Sequence, residues 1–382
     1  MIRFIHCLFF RFLITTISLI IAAHVARSNG IAVKYHINPE QYPHIDERGY
    51  VQAFKENGRW VNWWSKGKPG LLGLMGIGLF DTDFSNIPES KAKINEALPV
   101  KKPYWLEEGQ SKNVDDIRAT WIGHASVLTE FDNVTIIADP IFSERAFRYI
   151  GPKRFTTPAC SVSDLPNTLD AVVISHTHYD HLDTLSVRDL HERYGDQLHW
   201  FVPSGLQKWL TKKFKVSSEN VHELEWWEEV SMPGKPDVKF ILTPSNHWCT
   251  RMPWDRNKIL WGSWAIIGPK FRYWFAGDTA YANEAFKQIG ERYGPFDLAA
   301  IPIGAYNPRW YMRYVHVNPE EALLIHEDIK SKKSFGIHWG AFKQTYEYWL
   351  EPKEKIVKIL TRKNISSEEF QVPNIGETIN GK

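Results

Sequence analysis

The sequence is poor in cysteine, in net charge and in long apolar runs. Only three of its 382 residues are cysteines. Cys7 lies close to the N-terminus and would leave with a signal peptide. The two remaining cysteines, Cys160 and Cys249, are too few for a disulfide framework, so the redox compartment stays undecided. Lys and Arg total 46 against 44 Asp and Glu, without a long basic run, which argues against nucleic acid as a partner. Internal repeats and low-complexity segments are also absent, which argues against a solenoid.

The longest apolar run near the N-terminus is short for a membrane-spanning helix. Basic Arg3 and Arg11 precede the run at residues 12–26, and small residues follow it, an order typical of a secretory signal peptide. A membrane-spanning helix needs ~20 residues, although residues 5–10 would extend this run into an uncleaved anchor. We therefore expect residues 1–28 to be a signal peptide, with an anchor as the alternative, and a location in the secretory pathway or on an endomembrane.

The rest of the chain divides into a polar approach segment and a region of alternating strands and helices. Residues 29–117 are punctuated by Pro and Gly and contain one apolar stretch at residues 70–80. This stretch either contacts lipid or packs on the main domain, because its glycines weaken an independent helix. From Arg118 onwards, strand patterns alternate with helical patterns, which predicts a layered α/β domain over residues 118–382.

Short apolar runs predict the strands, and periodic segments predict the helices. Asp132 and Asn133 separate two of the runs and predict a hairpin there. A helix is expected to begin after Asn318, which can cap it, with Pro319 in the first turn. The predicted strands lie at residues 119–122, 127–131, 134–138, 171–174, 200–202, 238–243, 273–276, 298–302 and 334–337. Three further helices are predicted at residues 184–194, 204–214 and 282–293.

Four candidate metal ligands follow one predicted strand within six residues: His176, His178, Asp180 and His181. Side chains two apart on an extended segment point the same way, so His176 and His178 can bind one ion. Asp180 and His181 come after the chain turns and can face a second ion. Imidazole and carboxylate without thiolate suit Zn²⁺ best, with Fe and Mn as alternatives.

Two ions need more ligands than one segment supplies, and three more candidates follow other predicted strands: His247, Asp278 and His338. A single His or Asp in such a place is more often structural, but the joint pattern is hard to explain without metal. Two neighbouring ions can activate a shared water for hydrolysis. Asp278 is the expected bridging carboxylate. Asp139 is expected to orient a ligand histidine, unless it only forms the turn before Pro140.

The string His176-Thr-His-Tyr-Asp-His181, with His247, Asp278 and His338 in that order, resembles the metallo-β-lactamase superfamily. Within it the chain is similar to the N-acylphosphatidylethanolamine-hydrolysing phospholipase D family, from about residue 99 to about residue 352. The motifs that carry this resemblance are residues 120–124 (Thr-Trp-Ile-Gly-His), 139–142 (Asp-Pro-Ile-Phe), 151–155 (Gly-Pro-Lys-Arg-Phe), 176–183 (His-Thr-His-Tyr-Asp-His-Leu-Asp), 275–279 (Phe-Ala-Gly-Asp-Thr), 301–306 (Ile-Pro-Ile-Gly-Ala-Tyr) and 337–340 (Ile-His-Trp-Gly).

The resemblance implies a four-layer αββα sandwich with two Zn²⁺ per chain. One zinc would be held by His176, His178 and His247, the other by Asp180, His181 and His338, with Asp278 bridging them. Catalysis would depend on Asp180 and Asp278 and on a metal-bridging hydroxide that attacks phosphorus. Tyr179 and His316 match positions that contact substrate in the family.

The implied reaction is hydrolysis of N-acylphosphatidylethanolamine to N-acylethanolamine and phosphatidic acid at a membrane surface. The expected partner is therefore a phospholipid, and a homodimer is one candidate oligomeric state. Two alternatives stay open. One is another hydrolase of the same fold, such as a lactonase, a thioesterase or a different phosphodiesterase. The other is a non-catalytic lipid-binding protein with a structural metal site.

Overall fold

The computed structural model describes residues 44–65, 83–107, 115–147 and 151–381. These residues belong to one unit, Asn38–Lys382. The predicted signal peptide or anchor at residues 1–28 and the apolar stretch at residues 70–80 lie outside the described residues. Among the helices that the structure does describe, none is long and apolar enough to cross a bilayer.

The strands of the described residues form two large sheets and one small hairpin. In chain order they are β1 (Lys55–Glu56), β2 (Arg59–Trp60), β3 (Arg118–Gly123), β4 (Ser126–Phe131), β5 (Val134–Ala138), β6 (Ala171–Val173), β7 (His199–Pro203), β8 (Val221–Leu224), β9 (Glu229–Met232), β10 (Lys235–Thr243), β11 (Ser263–Ile267), β12 (Arg272–Phe275), β13 (Leu298–Pro302), β14 (Ser334–Ile337), β15 (Phe370–Gln371) and β16 (Thr378–Asn380). One seven-stranded sheet has the order β16-β3-β4-β5-β6-β7-β8, and the other has the order β15-β14-β13-β12-β11-β10-β9.

Several of the α-helices in the described residues lie on the outer faces of the two sheets. The α-helices are α1 (Lys91–Ala97), α2 (Thr184–Tyr194), α3 (Gln207–Phe214), α4 (Asn283–Arg292), α5 (Arg309–Met312), α6 (Pro319–Asp328) and α7 (Glu351–Lys363). Leu190 of α2 and Leu210 of α3 pack with Trp200 of the first sheet. On the other side, Phe286 of α4 contacts Trp274 of the second sheet.

The main core lies between the sheets. Phe201 of β7 stacks on Phe240 of β10 with ring centroids 3.7 Å apart. Trp264 of β11 donates a hydrogen bond of 2.9 Å to the carbonyl of Ile174, just after β6. With helices outside both sheets, the layers run helix, sheet, sheet, helix, which confirms the predicted αββα sandwich.

Local predictions agree with the structure where the turn or cap chemistry is strong. Asp132 and Asn133 adopt φ of 45° and 59° in the β4–β5 hairpin, a left-handed pair that Asn and Asp tolerate. At the start of α6, Asn318 accepts a hydrogen bond from the Glu321 amide, and the Glu321 side chain bonds back to the Asn318 amide. Helix α3 begins at Gln207 rather than at residue 204, because Gly205 at φ 100° cannot continue a helix.

The described part of the approach segment packs on the main domain. Trp60 of the β1–β2 hairpin is buried. The Trp227 indole donates a 2.6 Å hydrogen bond to the carbonyl of Val51. Asn62 donates to Asn246, next to the candidate ligand His247, at 2.9 Å. Residues 44–65 therefore help to build the surroundings of the site, and the domain boundary at residues 117/118 stays a prediction.

Candidate metal centre

The candidate ligands gather at one end of the sandwich because each follows the carboxyl end of a strand. The segment from His176 to His181 follows β6, and His247, Asp278 and His338 follow β10, β12 and β14. The first sheet, which contains β6, thus supplies four of the seven predicted ligands, and the second sheet, which contains β10, β12 and β14, supplies three. The carboxyl ends of neighbouring parallel strands meet at one edge, where α/β proteins place ligand sites.

One group of ligand atoms consists of His176, His178, His247 and Asp278, all within 4.8 Å of one another. His176 Nε2 lies 2.8 Å from His178 Nδ1, and His247 Nε2 lies 3.2 Å from the same atom. Asp278 Oδ2 is 3.9 Å from His176 Nε2 and 3.7 Å from His247 Nε2. These nitrogens and the carboxylate face a common centre, as the ligands of one ion do.

A second group consists of His124, Asp180, His181 and His338, again within 4.8 Å. Asp180 Oδ2 lies 3.6 Å from His181 Nε2 and 3.8 Å from His338 Nε2. Asp278 stands between the groups, because its Oδ2 is 3.1 Å from His181 Nε2 and its Oδ1 is 3.1 Å from His338 Nε2. The carboxylate is therefore placed to contact ions in both groups.

The buried ligand atoms that converge here are better satisfied by a bound cation than by hydrogen bonds to one another. His181 Nε2, His338 Nε2 and Asp278 Oδ1 are buried and make no hydrogen bond in the described structure. A buried polar atom without a partner costs free energy, so such atoms indicate a missing ligand. Burial alone would raise the pKa of Asp278, but the neighbouring imidazoles, His181 foremost, hold that pKa well below its usual range. The donor set and its charge therefore suit metal ions.

Hydrogen bonds on the far side of the imidazole rings fix several of the ligands. His181 Nδ1 is 2.6 Å from Asp139 Oδ2, and His176 Nδ1 is 2.9 Å from Ser175 Oγ. His247 Nδ1 donates to the carbonyl of Val315 at 2.8 Å. Such contacts leave the other ring nitrogen free to bind metal. Asp139 is thus placed where an orienting carboxylate is expected, and its contribution to activity stays a prediction.

His124 is a site residue that sequence reasoning quoted in a motif but gave no role. Its Nε2 lies 2.9 Å from Asp180 Oδ2, and its ring centroid lies 4.2 Å from that of His338. Burial and the neighbouring His338 lower the pKa of His124 to about 3, so the ring is neutral and its Nε2–H donates to the carboxylate. The available signal was its position directly after β3, like the other ligands after their strands.

Gln344 was also missed. Its amide nitrogen donates a 2.6 Å hydrogen bond to Asp180 Oδ2, the same oxygen that His124 contacts. Two donors therefore bond the same oxygen that lies 3.6 Å from His181 Nε2 and 3.8 Å from His338 Nε2, which fixes the Asp180 carboxylate beside the second group. The residue lies in a loop after His338, and nothing in its local sequence marks it as a site residue.

The two predicted substrate contacts occupy different places. His316 is buried beside the metal groups, with Nδ1 4.0 Å from Asp278 Oδ2, and burial above all lowers its pKa to about 3. Tyr179 lies further out and donates its hydroxyl proton to the carbonyl of Arg251 at 2.7 Å. Tyr179 lines an open cleft of about 460 Å³ together with His178, Asp180 and the apolar Phe147. The cleft leads from the surface to the ligands.

Comparisons with known proteins show the family to which the chain belongs. A model of the β-lactamase superfamily domain matches residues 134–339. The chain is 39% identical over 334 residues to N-acyl-phosphatidylethanolamine-hydrolyzing phospholipase D 1 of Caenorhabditis elegans, covering 85% of this chain and 92% of that protein. It is 32% identical to the mitochondrial N-acyl-phosphatidylethanolamine-hydrolyzing phospholipase D of Saccharomyces cerevisiae, covering 78% of this chain and 70% of that protein.

A solved structure shares the fold at low sequence identity. The isothiocyanate hydrolase from Delia radicum gut bacteria has a TM-score of 0.53 at 16% identity, covering 68% of this chain and 98% of that one. At this identity the likeness supports the architecture alone.

Proposed function

Because the chain belongs to the β-lactamase superfamily and, within it, to the N-acylphosphatidylethanolamine-hydrolysing phospholipases D, we propose that it hydrolyses N-acylphosphatidylethanolamine to N-acylethanolamine and phosphatidic acid. Family membership makes it a metal-dependent phosphoric diester hydrolase. The observation that carries the proposal is the pair of ligand groups with Asp278 between them. Such a pair suits in-line displacement at phosphorus.

The residues would hold two zinc ions. His176, His178 and His247 would bind one ion, and Asp180, His181 and His338 the other, while Asp278 would bridge them. When bound, the ions would lower the pKa of a water towards ~7 and neutralise charge on the phosphoryl oxygens. The protein's own part is to hold the ligands in place through Asp139, Ser175, His124 and Gln344.

In the proposed reaction, water supplies the oxygen that forms a new bond to phosphorus. The bond that breaks joins phosphorus to the oxygen of N-acylethanolamine, and that oxygen takes up a proton as it leaves. His316 is a neutral, buried imidazole whose Nδ1 has no hydrogen-bond partner among the residues that the structure describes, so it is available to contact the phosphodiester. Tyr179 and Phe147, whose rings are tilted by 55° with centroids 4.1 Å apart, would contact the substrate nearer the surface.

We also propose that the enzyme acts at a membrane surface. Trp254 is 63% exposed and Met252 is 41% exposed, on the loop whose Arg251 carbonyl binds Tyr179. Large apolar side chains rarely stay exposed together without a partner, and tryptophan favours the bilayer interface. These side chains would hold the mouth of the cleft against the lipid from which the substrate enters.

The direct test is to incubate the purified, metal-loaded protein with N-acylphosphatidylethanolamine in mixed micelles. We expect equal amounts of N-acylethanolamine and phosphatidic acid by mass spectrometry, with one ¹⁸O in phosphatidic acid when the reaction runs in H₂¹⁸O. Unacylated phosphatidylethanolamine and a lactone panel run in parallel as controls. Opening of lactones without release of N-acylethanolamine would sink the proposal and favour another hydrolase of this fold.

A further inference from the structure

Three consecutive backbone amides, at Ala305, Tyr306 and Asn307, donate to one buried carboxylate. Glu347 Oε1 accepts from the Ala305 amide at 2.7 Å and from the Tyr306 amide at 3.3 Å, and Oε2 accepts from the Asn307 amide at 3.1 Å. The Glu347 side chain is only 7% exposed. Successive N–H groups turned towards one point form a nest, which is an anion-binding feature of the backbone. Here the anion is the protein's own carboxylate.

This turn lies against a proposed metal ligand. It follows the end of β13 at Pro302, and Gly304 packs so closely on His338 that a Cβ there would lie 2.3 Å from the His338 carbonyl oxygen. Glu347 and His338 line the same cavity, of about 40 Å³. A shift of the turn would therefore press on the residue that holds the second ion.

The same turn leads to the proposed substrate contact. Helix α5 follows it, and Arg309 at the start of α5 donates a 2.7 Å hydrogen bond to the carbonyl of His316. Ala305 has φ 64°, a left-handed conformation that costs energy for any residue with a Cβ. The hydrogen bonds to Glu347 offset that cost, so the turn depends on this carboxylate to keep its shape.

We propose that Glu347 is a positioning residue for the reaction. Its carboxylate fills the nest at residues 305–307 and so fixes the turn between His338 and His316 in the geometry that phosphodiester hydrolysis requires. Glu347 touches neither the ligand groups nor the cleft floor, and it acts through the backbone of the turn. The inference rests on the proposed function for its reaction, but the anion nest can be tested without that reaction.

The first test is Glu347→Ala in the metal-loaded enzyme with and without sodium formate. We expect kcat/KM to fall about 100-fold at unchanged metal content, because a misplacement near 1 Å can cost that much. Formate is small enough to replace the carboxylate and should restore kcat/KM with saturation. The wild type in the same formate series measures any effect of formate elsewhere. Glu351→Ala is the matched control, since Glu351 binds the Tyr306 hydroxyl at 2.6 Å rather than the backbone amides.

The second test needs no substrate. Titration with ¹³C-formate by NMR should show saturable binding to Glu347→Ala beyond that of the wild type and of Glu351→Ala. If the wild type releases no N-acylethanolamine, the proposed function fails. Glu347 can then still be tested by hydrolysis of bis(p-nitrophenyl) phosphate and by formate binding. Full activity of Glu347→Ala would overturn the proposal. So would a loss of activity that formate does not restore in a variant that binds no additional formate.

A folding defect in Glu347→Ala leaves Glu347→Gln as the deciding variant. The glutamine side chain has nearly the same size but one acceptor oxygen, so it cannot serve all three amides. We expect about a 10-fold loss of kcat/KM with an unchanged melting temperature. Unchanged kcat/KM in this variant would show that the carboxylate is not needed and would also overturn the proposal.

Discussion

Asp278 is the residue on which both ligand groups depend, because each of its oxygens faces a histidine of the second group and Oδ2 also faces the first. Asp278→Asn keeps the size of the side chain and removes its charge. We expect turnover to fall by several orders of magnitude while the far-UV circular dichroism spectrum stays unchanged. The matched control is Asp328→Asn, which alters a carboxylate that accepts a hydrogen bond from the Tyr281 hydroxyl, outside the site. Unaltered turnover in Asp278→Asn would refute a bridging role.

His124 donates from its Nε2 to Asp180, and we propose that it supports metal binding through this carboxylate. His124→Ala removes that donor and should weaken metal binding about 10- to 100-fold, because hydrogen bonds behind a ligand fix its orientation. Competition with a fluorescent zinc chelator measures the change directly. The control variant is His326→Ala, because His326 is a buried histidine that is hydrogen-bonded to Ser334 on the far side of the second sheet. Equal zinc affinity in His124→Ala and the wild type would assign His124 a packing role.

At the scale of the element, α6 shows how a helix start near the site is fixed. The Asn318 side chain accepts a hydrogen bond from the Glu321 amide at 2.9 Å, and the Glu321 carboxylate accepts one from the Asn318 amide at 3.2 Å. Asn318→Ala should lower the free energy of unfolding by about 1 kcal/mol in urea denaturation. Ser90→Ala is the control, because Ser90 precedes α1 without making a side-chain cap. If both variants lose the same stability, the cap at α6 contributes nothing particular.

Strands and helices with strong local signals were predictable from the chain. The β4–β5 hairpin and α2 lie where the sequence placed them, because turn residues and apolar periodicity act over a few neighbours. The edge strands β8, β9, β15 and β16 were not predicted, and neither were the β1–β2 hairpin, the inner strand β11 or the helices α1, α5 and α7. Edge strands are short and partly polar, so their β-structure depends on the neighbour with which they pair rather than on their own pattern.

At the scale of the molecule, the proposed metal ions would join the two sheets. The segment from His176 to His181 follows a strand of one sheet, and His247, Asp278 and His338 follow strands of the other. Removing metal should therefore abolish activity and also destabilise the fold. An ion whose free concentration is 1,000 times its Kd adds about 4 kcal/mol to the free energy of unfolding.

The measurement is differential scanning calorimetry and activity before and after dialysis against a chelator, with elemental analysis of the active protein. We expect about two zinc ions per chain and a lower melting temperature without them. Adding back Zn²⁺ should restore both properties, whereas Mg²⁺ should not, since nitrogen ligands suit it poorly. Activity that survives chelation, or active protein without bound transition metal, would contradict the two-metal account.

The sequence by itself determined the chemistry that the site can perform. Imidazoles and carboxylates placed after apolar strands indicate the candidate ligands, because the residue type fixes the donor atom and the strand end fixes the edge of the sheet. Asp139 and the Asn318 cap could be inferred in the same way, since their signals lie within a few residues. The resemblance of the motifs added the proposed reaction and the proposed grouping of the ligands.

Only the tertiary structure decided which distant side chains support that chemistry. His124 meets Asp180 because β3 and β6 belong to one sheet, and 56 residues of chain between them carry no sign of the contact. Glu347 reaches Ala305 across 42 residues through loops with no periodic pattern. Local propensities act over neighbouring residues, whereas these contacts follow from strand order and loop packing, which the whole chain settles together.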